Sequence, residues 1–369
     1  MTHVCLLGTF ETKQSELAAL TDFLEDLDLE VVPVDLSLGA SGEILPGESK
    51  IHRMEQVGQK ASLTLEKGGF SAAIALGGGT GSEIALNAMR SLTIPKFLIT
   101  TLPFDPRHAL ADNGTVLIPT LCDVQGMNST LRQIFERSAR MVKASIKPTQ
   151  SYEQVLSVGI SLLGVTQKAC DEILPRLTAC GIEPFAFHAN GFGGAAFTRF
   201  AKEGMLHGVI DLTLNDIVRQ LVGGPHVEMP DRYSGMSHLP RVVLPGAISF
   251  FDAGPYDQMS PEQLERPHYR HSGYFTHVKL LPEDMRCVGE ALAADLNLSQ
   301  RPCVVILPMG GFSSEDRPGG AIEDLSLREQ LADILEGAAK AYAVERVPHH
   351  INDAETAEIA VAHLHEILK

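Results

Sequence analysis

One repeated pattern limits what this chain can fold into: a short run of apolar, often β-branched residues, then a turn of small residues, then a segment with helical spacing. Strands that are apolar throughout lack the alternation of a sheet with one solvated face, so helices must cover both faces. Strands that alternate with helices pair in parallel. The sequence therefore predicts an α/β protein of Rossmann-like, doubly wound parallel sheets.

The length of 369 residues favours two such units, because single cores rarely grow beyond about 250–300 residues. The pattern is interrupted at Lys147-Pro148-Thr149-Gln150-Ser151, where a proline among polar residues follows a long helical segment. We predict one domain over residues 1–149 and a second over residues 150–369, with a ligand cleft between them. The predicted helices include Ser15–Asp28, Glu83–Arg90, Gln167–Ala179 and Asn215–Leu221.

Charge and composition exclude several classes of partner. The chain has 30 Lys and Arg against 46 Asp and Glu, a net charge of −16, and no basic cluster suited to nucleic acid. No apolar run approaches the ~18–20 residues that cross a bilayer, and the N-terminus is typical of a first strand, not a signal peptide. Six scattered cysteines form no Cys-x-x-Cys pair, which favours reduced thiols. We expect a cytoplasmic homo-oligomer without nucleic-acid or membrane partners.

The first candidate binding turn follows the first predicted strand and reads Gly8-Thr9-Phe10-Glu11-Thr12-Lys13. Ligands in open α/β sheets bind where such turns lead into helix N-termini. Gly8 lets the backbone approach a ligand closely. Thr9 and Thr12 offer hydroxyl donors, and the Lys13 ammonium suits phosphate. The competing interpretation is an ordinary turn with Thr12 as the helix N-cap and Lys13 in solvent.

The second turn, Gly77-Gly78-Gly79-Thr80-Gly81-Ser82, has four glycines in five positions after an apolar strand. Consecutive backbone N–H groups in such a turn can form a nest for an anion, and each glycine costs conformational entropy. A tight turn against a neighbouring helix explains one or two of these glycines, so we predict phosphate or carboxylate binding. The segment is not a Walker A loop, because the chain contains no Gly-Lys dipeptide.

The third turn, Phe187-His188-Ala189-Asn190-Gly191-Phe192-Gly193-Gly194-Ala195-Ala196, contains the looser dinucleotide fingerprint Gly191-x-Gly193-x-x-Ala196. Asp211 ends the next predicted strand, 20 residues after Gly191, as an NAD-binding acid would. The fingerprint, however, follows the second strand of its half, and the polar His188 and Asn190 suit a substrate site better. His188 is either an acid/base or electrophile, or a hydrogen-bonded structural histidine.

The segment Arg266-Pro267-His268-Tyr269-Arg270-His271 places four potential cations in six positions, and His277 follows. In a chain of net charge −16, such a local reversal predicts contact with an anionic ligand. The alternative is a solvated loop. The histidine spacing raises zinc as well, but no Cys-x-x-Cys pair or helical frame supports it, so the metal is left unknown.

These turns occur in one order with further motifs, and together they resemble a known family. Gly8–Lys13 matches its pattern Gly-Thr-x-Asp-Thr-Lys, with Glu11 in place of Asp, and Gly77–Ser82 matches its glycine loop. The other matches are Asp123-Val124-Gln125-Gly126-Met127-Asn128, 187–194, 208–213, Pro245-Gly246-Ala247, Arg266-x-x-Tyr269-x-His271, 311–319 and His350-Ile351-Asn352-Asp353. The whole chain is similar to the family of the ATP-binding N-terminal domain of the tomato tobamovirus-resistance protein, an inhibitor of viral RNA replication, with its bacterial and fungal relatives.

The resemblance implies a two-domain Rossmann-like fold that binds ATP in its N-terminal domain, and we expect Mg²⁺ to arrive with the nucleotide. The expected cofactor-binding residues are Gly8, Thr9, Thr12, Lys13, Asp35, Gly77, Gly78, Gly79, Thr80, Gly81, Ser82, Asp123 and Asn128. Glu11, Asp35 and Asp123 are the candidate carboxylates for Mg²⁺. One segment, 101–106, departs from the family, because Pro103 and Pro106 remove backbone donors there.

We expect an ATP-binding enzyme whose second domain brings a small anionic metabolite to the cleft. The expected catalytic residues are His188, Asp211 and His271, since His188 and Asp211 end strands that are neighbours in sequence. The expected substrate-binding residues are Asn190, Gly191, Gly193, Gly194, Thr213, Gly246 and Arg266. Two alternatives stay open: an NAD-linked or cofactor-free enzyme at the His188/Gly191–Gly194/Asp211 site, and a non-catalytic nucleotide sensor that interacts with other proteins.

Overall fold

A computed structural model describes residues 2–39, 45–103, 105–110, 112–146, 155–189, 192–224, 229 and 231–369. The chain divides into two compact units, Met1–Ser151 and Tyr152–Lys369. The interruption at residues 147–151 lies outside the described residues. Among the described helices, none combines the length and the apolar character needed to cross a membrane.

The first unit contains a five-stranded parallel sheet in the order β2-β1-β3-β4-β5. Its strands are β1 (Thr2–Gly8), β2 (Leu29–Asp35), β3 (Ala72–Gly77), β4 (Lys96–Thr100) and β5 (Val116–Pro119). Its helices are α1 (Phe10–Glu25), α2 (Gly47–Lys67), α3 (Gly79–Ala88), α4 (Arg107–Leu110) and α5 (Ser129–Ser145). The chain winds outward from β1 to β2 and then returns to the other side of β1. The strand order therefore reverses between β1 and β3.

Two apolar layers cover this sheet. Strand β3 is buried along its whole length, and its short alanine side chains let helices approach both faces closely. Leu17 and Leu20 of α1 pack with Phe135 of α5 on one face. Ala61 of α2 packs with Ile84 of α3 on the other. The continuous apolar runs of the sequence thus correspond to strands buried on both sides.

The second unit contains a six-stranded parallel sheet in the order β14-β13-β9-β8-β6-β7. These strands are β6 (Ser157–Leu162), β7 (Glu183–His188), β8 (Gly208–Thr213), β9 (Arg241–Gly246), β13 (Cys303–Pro308) and β14 (Ala343–Val347). The flanking helices are α6 (Gln167–Ala179), α7 (Phe192–Lys202), α8 (Asn215–Leu221), α10 (Pro282–Leu296), α11 (Leu325–Ala338) and α12 (Ala354–Ile367). The winding repeats that of the first unit, with the reversal between β6 and β8. The predicted α/β class with doubly wound parallel sheets is confirmed.

Between β9 and β13 the chain adds a small antiparallel sheet that the sequence pattern does not predict. It consists of β10 (Phe250–Asp252), β11 (His268–Arg270) and β12 (Thr276–Lys279), in the order β10-β12-β11, with helix α9 (Pro261–Glu265) between β10 and β11. The central strand places His277 directly opposite Asp252 on one side and Tyr269 on the other. Directly paired residues share one face of a sheet, so this pairing brings their side chains together.

Several glycines at or just after the carboxyl ends of strands lie close to neighbouring atoms. A Cβ atom on Gly8 would lie 2.6 Å from Leu17 Cδ2, and one on Gly194 would lie 2.8 Å from Met229 Sδ. At Gly193 the nearest atom would be the His188 carbonyl oxygen, at 2.2 Å. Gly193 and Gly194 were expected to bind substrate. The close approach of α7 to the β7 backbone accounts for Gly193, whereas Gly194 closely approaches only the end of the flexible Met229 side chain and is not explained in this way.

Gly246 gives a direct test of this packing. A Cβ there would lie 2.2 Å from the Leu212 carbonyl oxygen, whereas the space around Gly337 in α11 is open. We expect Gly246→Ala to lower the free energy of unfolding by about 1–3 kcal/mol, because backbone must shift to admit the methyl group. The control Gly337→Ala should raise it by about 0.5–1 kcal/mol through helix propensity. Denaturant unfolding measures both, and equal stability of the two variants would contradict the packing role.

Candidate functional site

The two glycine turns of the first unit lie side by side. Strands β1 and β3 are paired, so the turns that follow them leave the same edge of the sheet. A Cβ on Gly81 would lie 3.5 Å from Thr9 Cγ2, and one on Gly79 would lie 3.4 Å from Pro103 Cγ. The first turn of α3 is therefore set between the ends of β1 and β4. Glycine at these two positions keeps side chains out of this junction.

Helix α3 begins in this junction without a side-chain cap. The first backbone hydrogen bond of the helix is donated by the Ser82 N–H to the Gly78 carbonyl, at 3.0 Å. The N–H groups of residues 79–81 precede it and, as in any helix, have no partner within the helix. They carry the partial positive charge of a helix N-terminus, which favours an anion. The space around Gly78 is also open.

Two residues of this turn, Ser82 and Gly77, fix its shape through buried contacts. The Ser82 side chain is fully buried, and its hydroxyl donates to the Gly77 carbonyl at 3.1 Å and lies 2.7 Å from the Thr100 hydroxyl. A Cβ on Gly77 would lie 2.8 Å from the Ser82 nitrogen. Both were expected to contact a cofactor directly. Burial and close packing give them a structural role instead.

The turn after β1 is capped differently from the prediction. Helix α1 begins at Phe10 with Thr9 as its N-cap, so Thr12 lies inside the first turn, with its hydroxyl 2.8 Å from that of Thr9. The Asp35 carboxylate accepts hydrogen bonds from the Phe10 N–H at 3.2 Å and from the Ser37 hydroxyl at 2.6 Å. The end of β2 thus satisfies the N-terminus of α1. Ser37 belongs to none of the predicted motifs.

Lys13 does not extend toward the glycine turn. Its ammonium donates hydrogen bonds to the Val124 carbonyl and, at 2.9 Å, to Gln125 Oε1, both in the loop after β5. Glu16, in the next turn of α1, also holds this loop. Its carboxylate accepts a hydrogen bond from the Gly126 N–H at 2.6 Å. The predicted phosphate contact of Lys13 is therefore replaced by a pair of side chains that hold this loop against α1.

The Glu16 carboxyl makes this fastening sensitive to pH. Burial alone would raise the pKa of Glu16, but hydrogen bonds from its own backbone N–H, Ser15 and Gly126, with the charge of Lys13, lower it below 4.5. The folded state therefore favours the ionised carboxylate. This contribution to stability is present above pH 4.5 and is lost as the pH falls through the lower folded pKa.

We expect Glu16→Gln to reduce the free energy of unfolding at pH 7 and to have a smaller effect at pH 3, because the wild-type carboxyl takes up its proton as the pH falls towards and through its lowered pKa. Urea unfolding of wild type and variant at both pH values measures the difference. Asp22→Asn, an exposed position outside the first turn of the same helix, is the control and should show no such loss. An effect of Glu16→Gln that is equal at both pH values would contradict the role of the charge.

Two other residues expected to bind the cofactor lie in the loop after β5. Asn128 is the N-cap of α5, and its side chain accepts the Leu131 N–H at 3.0 Å. This capping role accounts for the residue without a ligand. Asp123 is exposed in the same loop.

In the second unit, the expected pair of His188 and Asp211 is not formed. Strand β6 lies between β7 and β8, with Leu162 opposite His188. The Ser161 hydroxyl donates to Asp211 Oδ1 at 2.6 Å, so Asp211 shares the face of Ser161. Successive residues of a strand point to opposite faces, which places His188 on the other one. His188 remains partly exposed to solvent. The loss of part of its hydration, together with the positive charge of Arg219, lowers its pKa.

Asp211 belongs to a buried ion cluster. Arg232, which sequence analysis did not identify, donates to both oxygens of Asp211 at 3.0 and 2.8 Å and to Asp216 Oδ2 at 2.9 Å. Asp211 and Arg232 are each 1% exposed. The catalytic role expected for Asp211 requires an accessible carboxylate. That expectation is wrong, because the Asp211 carboxylate is buried and paired with Arg232. Thr213 is also fully buried, and its hydroxyl lies 2.8 Å from that of Thr166.

Most other expected substrate contacts also have internal partners. The Arg266 guanidinium donates to Asp284 Oδ2 at 2.9 Å and to the Lys279 carbonyl, so its charge is already balanced. It lines a pocket of about 380 Å³ together with Glu262 and Asp284, which does not favour an anion. Gly246 is explained by its approach to β8. Asn190 and Gly191 lie outside the described residues.

His271, the third expected catalytic residue, lies in a cluster with His277 and Glu315. Glu315 Oε1 is 3.8 Å from His271 Nδ1 and 3.6 Å from His277 Nδ1. The two imidazole rings stack with centroids 4.5 Å apart. His268, the other histidine of this segment, turns its Nδ1 to the Arg266 carbonyl at 2.8 Å. Glu315 comes from the loop after β13 and was not singled out from the sequence.

Both units of the chain are similar to known protein domains. Residues 42–151 match the N-terminal domain, and residues 156–368 the C-terminal domain, of the Uncharacterised protein family (UPF0261). The chain belongs to the UPF0261 family. A UPF0261 protein of Rhizobium meliloti is 27% identical over 396 residues, covering 100% of this chain and 99% of the relative. One from Clostridium tetani is 29% identical, covering 97% of each.

The UPF0261 family extends to tomato. The ToMV resistance protein Tm-1(GCR237) of Solanum lycopersicum is 27% identical over 322 residues, covering 83% of this chain but only 43% of the tomato protein. Among solved structures, UDP-GlcNAc 2-epimerase from Methanocaldococcus jannaschii has a TM-score of 0.23 at 9% identity, covering 98% of this chain and 92% of that one. MurG of Acinetobacter baumannii has a TM-score of 0.23 at 12% identity, covering 100% and 94%. Overlaps of this size carry no inference about ligand or activity.

Proposed function

We propose that the first unit binds ATP at the carboxyl edge where β1 and β3 meet, with the nucleotide phosphates on the N-terminus of α3. The supporting observation is the junction between the ends of β1 and β4, where Gly79 and Gly81 place no side chain. Side chains at these positions would fill the space beside Pro103 and Thr9, where backbone N–H groups of α3 have no partner within the helix. This junction coincides with the reversal of strand order, which is the usual ligand position in such sheets.

The surrounding residues fit a phosphate ligand. The Thr9 methyl group lies beside Gly81, and the Thr9 hydroxyl, 2.8 Å from that of Thr12, can donate to a phosphate oxygen. Glu11, Asp35 and Asp123 are exposed, and they are the candidate carboxylates for the Mg²⁺ that accompanies ATP. Lys13 is not assigned a phosphate in this proposal, because the loop after β5 uses its ammonium.

The geometry favours this proposal over an NAD site in the second unit. The fingerprint at residues 191–196 follows β7, the outermost strand of its sheet, and not a strand at the reversal between β6 and β8. Gly193 in that fingerprint is needed for the packing of α7. The cations expected to bind an anionic metabolite also include Arg266, which is paired with Asp284. Binding of a nucleotide in the first unit is therefore the better supported function.

The test is equilibrium binding of ATP, adenosine, NAD and a UDP-sugar to the purified full chain. We expect ATP to bind more tightly than NAD, and Gly79→Val to weaken ATP binding at least about tenfold, or about 1.4 kcal/mol. Adenosine affinity should change less, because the added side chain blocks the phosphates. The matched control is Gly47→Val, at the first position of α2 with open space around it.

Two outcomes would refute the proposal. Unchanged ATP affinity in a folded Gly79→Val chain would remove the junction from the binding site. Saturable binding of NAD, without ATP binding, would favour the dinucleotide alternative. Circular dichroism of both valine variants checks that a loss of affinity is not a loss of fold.

A further inference from the structure

The cluster of His271, His277 and Glu315 has the composition and spacing of a metal site. One ligating atom from each residue lies within 4.8 Å of the others. Two ligands at about 2.1 Å from a tetrahedral ion lie roughly 3.4 Å apart. The Nδ1–Oε1 distances of 3.6 and 3.8 Å therefore need to shorten by only a few tenths of an ångström.

Buried atoms in the cluster lack hydrogen-bond partners. His277 Nδ1, Glu315 Oε2 and Asp252 Oδ1 are all buried and without such a bond within the described chain. The side chains of His277 and Glu315 are each 7% exposed, so the solvent reaches little of either. Most buried polar groups in proteins have a partner, and each exception needs an explanation. A cation between these residues would be the missing partner of both His277 Nδ1 and the Glu315 carboxylate.

The His277 ring lies with Nδ1 toward Glu315 and Nε2 toward Asp252. Asp252 Oδ1 lies 3.2 Å from His277 Nε2, on the side of the ring away from Glu315. Arg219 donates to the other oxygen of Asp252, and the Arg219 Nε is bonded to Asn215 Oδ1 at 2.7 Å. Phe250 stacks on the His277 ring with centroids 4.1 Å apart. A carboxylate behind a metal-binding histidine is a recurrent arrangement that fixes the ring and strengthens its basicity.

We propose that His271, His277 and Glu315 bind a divalent first-row transition-metal ion, with Zn²⁺ as the probe. Two imidazoles and a carboxylate match the preferences of these ions better than those of Mg²⁺ or Ca²⁺. Binding requires the His271 ring, 41% exposed, to turn out of its stack on His277 so that both Nδ1 atoms face one ion. Three protein ligands leave a fourth position for water or substrate, as in catalytic zinc sites.

The test measures Zn²⁺ binding to the full chain after chelator treatment, by competition with a metal-sensitive dye. We expect one Zn²⁺ per chain, with the affinity lowered at least about tenfold in His271→Ala and in Glu315→Gln. Mutation of a residue that only supports a metal ligand lowers metal affinity about 10- to 100-fold, so loss of a ligand itself should lower the affinity at least as much. The control is His363→Ala, whose imidazole is bonded to Glu345 at 2.6 Å. The visible spectrum of the Co²⁺-loaded chain should change in both ligand variants and not in the control.

Either of two results would overturn the metal site. One is a wild-type chain that shows no saturable binding of one Zn²⁺. The other is wild-type affinity in both His271→Ala and Glu315→Gln. Since His271 is partly exposed, its alanine variant is expected to fold even where a change at the buried Glu315 does not, which keeps the test decisive. Neither result bears on ATP binding by the first unit.

Discussion

The carboxyl end of the second sheet depends on one buried guanidinium. Arg232 is bound by Asp211 at the end of β8 and by Asp216 in the first turn of α8. A buried charge that loses its partner costs about 3–5 kcal/mol, so these three side chains must be placed together. Helix α8, fixed in this way, carries the Arg219 that bonds Asp252 of β10. The antiparallel sheet, and with it His277, thereby takes its position from an ion cluster on the parallel sheet.

The regular elements could be predicted because their apolar pattern is local. Helices α6 and α8 have the predicted bounds, Gln167–Ala179 and Asn215–Leu221. Helix α1 begins at Phe10, before the predicted Ser15. The prediction missed this turn because residues 11–15 (Glu-Thr-Lys-Gln-Ser) are polar and show no apolar spacing. The three strands of the antiparallel sheet have only three or four residues each, too few for any periodicity. That sheet could be found only from tertiary structure.

The candidate sites could be predicted only in part, because glycines and charged residues in similar sequence motifs have different surroundings in the folded chain. Gly193 and Gly79 both follow strands in glycine-rich turns, yet a Cβ on Gly193 would meet backbone at 2.2 Å and one on Gly79 only a proline side chain at 3.4 Å. Likewise, Arg266 looks like a free cation in the sequence, but its partner Asp284 is 18 residues away. The contacts of a residue depend on the fold, so they cannot be predicted from a sequence motif.

The two units wind in the same way but use the carboxyl edge of the sheet differently. In the second unit this edge is filled by paired charges, which include Arg232 with Asp211 and Arg328 with Asp316 at 2.6 Å. Asp316 also accepts the Phe312 N–H, so both side chains and backbone donors are used internally. In the first unit, α3 begins there without a side-chain cap. Phosphate needs donors without partners, whereas a transition metal needs fixed imidazole and carboxylate groups, so each edge suits the ligand proposed for it.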